Sequence, residues 1–244
     1  MKPSIWLYGG VHDDPGSRQR FAAHFAQQEA QPHFVAVEWE EAVFDRVVAW
    51  RPWIARELES RCSFLDREDC GELSRALAWE GDAYRERFPT ANPLWLETGF
   101  QQIDLSCRSG GHPDKLLERL ARGLLQRLVN PSARTMHEFF TNADPPPAPT
   151  SKTELIDRVS RAMWSDASPS MSKDLERDQR WATAITEQSS ALRDGWIAVV
   201  VGWAHADLTG EATRLGGLLS SSGFRVTPVS LAPSSPTNAE AEKQ

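Results

Sequence analysis

Cysteine is scarce: Cys62, Cys70 and Cys107 are the only three in 244 residues. An odd number at no metal-like spacing argues against a disulfide scaffold and reads as free thiols in a reducing compartment. Long apolar runs are also missing. The longest, Trp196–Val201, is far short of the roughly 20 residues of a membrane span. The opening MKPSIWLYGG has one lysine and too few apolar residues for a signal-peptide core, so the expected location is the cytoplasm, with no membrane partner. Basic residues do not dominate. Lys and Arg number 27 against 34 Asp and Glu, a formal charge of −7, which argues against a nucleic-acid partner. No repeat of solenoid length occurs. What is present is ordinary globular composition, 40% apolar and 25% charged, in a chain long enough to bury about 70–75% of its surface. Tryptophan is abundant, with 10 residues, and most are expected to pack in the core.

Short apolar runs predict strands at 5–8 (Ile-Trp-Leu-Tyr), 34–37 (Phe-Val-Ala-Val), 93–96, 196–201 and 224–229. Helical character is expected over 18–29 and, with Pro52 opening a fresh helix, over roughly 40–88. Further helices are expected at 115–129, 153–164, 173–193 (Ser172 as N-cap) and 210–222. Asp144–Thr150 (DPPPAPT) reads as a stiff linker. Strand, helix, strand at both ends implies right-handed βαβ units. The expected fold is α/β, with a mainly parallel sheet, flanking helices and a helical insert in the middle of the chain, about 98–195. Residues 1–231 form a single α/β domain on this reading, and 232–244 a disordered tail.

Gly9-Gly10-Val11-His12 and Gly202-Trp203-Ala204-His205 are both Gly-x-x-His. Chance places about 0.4 such motifs in a chain of this composition. Both follow an apolar strand, and in an open parallel sheet ligands bind beyond the carboxyl ends of the strands. Each glycine is expected to let the backbone turn sharply there. Glu38 ends its own strand at the same rim, and Glu97 follows the 93–96 strand. As a polar rim residue, His205 is expected to contribute little to stability. Asp13 and Asp14 read as part of an Asp-Asp-Pro-Gly turn, or as ligands or acceptors beside His12. His24, His33, His112 and His137 have no matching context. Trp50, Trp53, Met136, Phe139 and Phe140 are either ordinary core or the lining of a pocket under the insert.

These blocks resemble the TraB/PrgY/Tiki superfamily, which takes in ChaN-like and erythromycin-esterase-like proteins. YGGVHDDPGS is similar to its first Gly-x-x-His block, VAVEWEE to its strand ending in an acid, and LERDQRWATAI to its Glu-Arg-Asp/Asn helix. VVVGWAHADLTGEATRLGGLLSSSGFRVTPV resembles the closing block. Together they cover about a third of the chain. The resemblance implies an α/β fold with a hydrolase-like site at His12, Glu38, Arg177 and His205. It implies either a metal-dependent peptidase, with a divalent ion (Mn, Co or Zn) on His12, Glu38 and His205, or an esterase-like enzyme that uses His and Glu on water. ChaN-like relatives instead imply haem binding. In chemical terms, a metal lowers the pKa of its water, a metal-free histidine acts as general base, and Arg177 is the candidate oxyanion stabiliser. The expected partner is a peptide or small acyl substrate. A protein that binds a ligand or sequesters a peptide, without catalysis, is the other class.

Overall fold

The computed structural model describes residues 2–97, 113–131, 147–167, 175–206 and 214–234. Five strands form one parallel sheet: β1 (Ser4–Gly10), β2 (Val35–Val37), β3 (Pro93–Trp95), β4 (Trp196–Gly202) and β5 (Arg225–Ser230), in the order β3-β2-β4-β1-β5. The register aligns Leu7 with Val199 and Pro228, and Val37 with both Val200 and Trp95. All seven residues of the central β4 are buried. A parallel strand covered on both faces needs apolar side chains throughout, which the run Trp196–Val201 supplies.

Alternation along the strands divides the core in two. Ile5, Leu7, Ala36, Ile197, Val199 and Val201 face Trp181, Ala182 and Ile185 of helix α7 (Leu175–Gln188) and Leu215 and Leu219 of α8 (Leu215–Ser221). Tyr8, Val35, Val37, Ala198 and Val200 face Phe21 and Phe25 of α1 (Pro15–Ala26) and Trp79, Tyr84 and Phe88 of a segment with short 3-10 turns. A third cluster lies among α2 (Glu41–Val48), α3 (Arg51–Arg61), α4 (Arg67–Ser74), α5 (Pro113–Val129) and α6 (Lys152–Asp166).

The expected strands are present within a residue or two at their ends. Three expectations are corrected. The helical unit is not confined to 98–195: residues 39–78, which carry α2, α3 and α4, supply more than half of its core, with apolar faces that meet Leu117, Leu124 and Leu155. Helix α7 falls inside the expected insert yet packs on the sheet itself. Helix α1 begins at Pro15, not Arg18. Asp14 caps it, accepting from Gly16 N and Ser17 N at 2.9 Å each, and Pro15 suits a first turn that needs no donor. Cys62 and Cys70 are buried free thiols. Cys107, His112, Met136, His137, Phe139, Phe140, Ser172 and most of the 232–244 tail lie outside the described residues. Among those described, no helix is long and apolar enough to cross a membrane.

Adjacent strands β1 and β4 send their following helices, α1 and α8, to opposite faces of the sheet. Such a switch opens a crevice at the carboxyl edge. The two Gly-x-x-His segments run from the ends of β1 and β4 into the loops that flank this crevice.

Candidate active site

The close approach of chain segments explains the glycines better than turning does. Gly9 and Gly10 lie within β1, without positive φ. A Cβ on Gly9 would stand 2.5 Å from Ala206 Cβ, and one on Gly10 would stand 2.6 Å from the Trp79 ring. Gly202 leaves room for the site itself: a Cβ there would lie 2.9 Å from His12 Nε2 and 3.2 Å from Glu38 Oε2. The tight turn after it, closed by His205 N–H donating to Gly202 O at 2.8 Å, sets His205 over the sheet edge.

Glu38 is the centre. It is 4% exposed and accepts from Gly202 N–H at 2.6 Å through Oε2. Its Oε2 lies 3.6 Å from His12 Nε2, and its Oε1 lies 3.9 Å from His205 Nε2 and 3.0 Å from Arg177 Nη2. The fold thus brings together all four residues singled out in the sequence. Glu97, at the end of β3, joins them by an ion pair with Arg177 Nε.

Two carboxylates that the sequence reading passed over complete the arrangement. His12 Nδ1 is 2.7 Å from Glu80 Oε1, and His205 Nδ1 is 2.6 Å from Asp178 Oδ1. Each acid is buried, so each imidazole is oriented from behind with Nε2 turned toward Glu38. Asp178 sits three, four and seven residues before Trp181, Ala182 and Ile185, on the apolar stripe of α7. A charge in that position is a readable sign of a buried role. Glu80 has no such sign. It is delivered by Ala78, which adopts φ 54 just before the 3-10 turn Trp79–Gly81 and whose N–H donates to Asp13 Oδ1 at 2.8 Å. Asp13 and Asp14 are therefore scaffolding, one for the Glu80 segment and one for α1. Trp181 lies between the Arg177 guanidinium (4.6 Å) and the His205 ring (4.9 Å).

The protein packed around the His12 ring penalises its charged form although the side chain stays half exposed, but Glu38 and Glu80 outweigh that penalty, and the imidazole pKa is pushed up to about 10. Burial likewise opposes ionisation of Glu38, yet His12, His205, Arg177 and the Gly202 N–H hold it below the usual carboxylate range. Burial raises Glu97 against the pull of Arg177, and burial with the nearby Glu80 charge pushes Asp13 up to about 6.

His12, Glu38 and His205 as they stand do not fit a divalent ion. Both Glu38 oxygens are already engaged, by a backbone N–H and by a guanidinium, and a cation at hydrogen-bond distance repels another. Among the described residues no group of three or more His, Cys, Asp or Glu is arranged to hold a metal. His24 bonds with Tyr8 OH, and His33 with the Asp194 carbonyl, both away from the site. Trp50 and Trp53 meet edge to face with each other and pack against the helical cluster.

Comparison of the chain with family models, with curated proteins and with solved structures gives no match.

Proposed function

We propose that the chain is a hydrolase that cleaves a peptide or other acyl bond with water activated at His12, Glu38 and His205. One observation carries the reading: two imidazoles, each backed at Nδ1 by a buried carboxylate, direct Nε2 to the same carboxylate. A buried acid behind Nδ1 fixes the tautomer and leaves Nε2 free to take or give a proton. His205 is the base, which takes a proton from water as the oxygen attacks the acyl carbon. His12, held protonated by Glu38 and Glu80, is the acid that returns a proton to the leaving group. Arg177 keeps Glu38 ionised and presents its charge to the oxyanion.

A panel of esters, lactones and peptides, run with wild type and His205→Asn, tests the reading. Turnover by wild type alone, surviving dialysis against a chelator, supports it. Turnover lost to the chelator and restored by Mn, Co or Zn overturns the metal-free mechanism in favour of a metallopeptidase. No turnover, with a Soret band on adding haem, overturns catalysis in favour of a binding protein.

A further inference from the structure

The rim carries a pair of indoles that the reaction does not use. Trp203 follows Gly202, and its backbone N–H donates to Gly10 O at 2.8 Å. That bond pins it across the end of β1, two residues before His205. Trp164 comes from the opposite side, on the last turns of α6. Its indole N–H donates to Asp14 Oδ2 at 3.0 Å and lies 3.3 Å from Ser17 Oγ, which fixes the ring beside the loop that carries His12. The two rings stand 6.0 Å apart, tilted by 42°. They are tilted rather than stacked, and both are half-buried. Trp164 has its polar edge anchored, whereas the Trp203 indole N–H bonds to no group among the described residues. A half-buried indole with an unused donor, two residues from His205, suits a planar ligand carrying an acceptor.

We propose that Trp203 and Trp164 wall a substrate subsite for a flat aromatic group that bears a hydrogen-bond acceptor. The substrate class is then an aryl ester, or a peptide with an aromatic residue beside the scissile bond. Naming that class rests on the hydrolytic reading; the subsite itself does not, and it is tested without turnover. The probe is 2-acetonaphthone, a neutral ketone with a planar ring, an acceptor oxygen and no cleavable bond. Cyclohexyl methyl ketone has the same acceptor and no flat face. Equilibrium dialysis should show wild type holding the naphthyl ketone about tenfold more tightly than the cyclohexyl ketone, roughly 1.4 kcal/mol. Trp203→Leu keeps an apolar side chain and should lose that preference, whereas Trp203→Phe keeps a ring and should retain most of it. If Trp203→Leu does not fold, Trp203→Phe against wild type still reports the donor, through a weaker grip on both ketones. Equal affinity for both ketones in wild type, or an unchanged preference in a folded Trp203→Leu, overturns the subsite. Turnover on the panel with no aryl preference overturns the aryl substrate class and leaves the hydrolytic reading standing. Ketone selectivity without any turnover leaves the subsite standing and overturns the hydrolytic reading.

Discussion

Gly202→Ala is the sharpest perturbation available, because it adds one methyl group where two reacting side chains meet. The new Cβ stands 2.9 Å from His12 Nε2 and 3.2 Å from Glu38 Oε2, against optimal separations of about 3.5–4.0 Å. Glu38 cannot yield, since it is buried and tied to Gly202 N–H and Arg177. His12 can, because its side chain keeps 46% of its surface. The ring must withdraw by about half an ångström or more, which strains its 2.7 Å bond to Glu80. Because one partner moves into solvent, the stability cost belongs at the low end of the ~1–3 kcal/mol range for overpacking. At about 2–4 °C per kcal/mol for a chain of this size, the melting temperature falls only a few degrees. Turnover should fall far more, on the order of 10²-fold for a misplacement near 1 Å. Gly71→Ala is the control. It lies in α4 with nothing within 4 Å of the added methyl, and should gain up to ~1 kcal/mol with turnover unchanged. The assays are thermal melts, initial rates on the ester and peptide panel, and the His12 imidazole NMR signals. Wild-type rates and signals in Gly202→Ala would refute the placement of His12 against Glu38. Outright unfolding would refute the claim that the site yields toward solvent.

Three further outcomes follow from the same geometry. His205 is buried and bonded to the fully buried Asp178, so the expectation that a rim histidine matters little for stability is reversed: His205→Ala should cost about 1–3 kcal/mol by leaving Asp178 Oδ1 unpaired, while Oδ2 keeps its ion pair with Arg214 at 3.3 Å. His205→Asn keeps a donor near Nδ1 and should melt close to wild type with turnover gone; normal turnover would remove His205 from the chemistry. In an NMR titration His12 should hold its proton through neutrality and lose it near about 10, and Glu38→Gln should move that titration down. Because the folded value is raised, the stabilisation is fully present below the unfolded value of ~6.5 and fades as pH rises through about 10; a wild-type midpoint near 6.5 would contradict the clamp by Glu38 and Glu80. Arg177→Lys should lose nearly as much turnover as Arg177→Ala, about 10²–10³ for a lost oxyanion donor. One ammonium does not replace a planar fork that spans Glu38 and Glu97, and a lysine variant within about threefold of wild type would show that charge suffices.

The strands and the rim were readable because their signals are local. An apolar run such as Trp196–Val201 states its own burial, and a polar residue directly after it must lie at the strand's end. That reasoning places His12, Glu38, Glu97 and His205 at one edge before any contact is known. The start of α1 at Asp14-Pro15 was missed, although an N-cap acid followed by proline is a start signal as much as a turn signal. The carboxylates behind the histidines are a different matter. Asp178 had a weak mark, a charge on the apolar stripe of α7. Glu80 had none, because it reaches His12 across 68 positions of sequence through a left-handed Ala78 that no run or spacing announces. The division of the helices likewise depended on packing: whether α7 meets the sheet or the helical cluster is settled by which apolar faces fit together over long sequence separations. Periodicity along a chain says that a face is buried and not what buries it. The positions along each strand are therefore properties of the sequence, while the partners that set the protonation of His12 and the orientation of His205 belong to the folded chain alone.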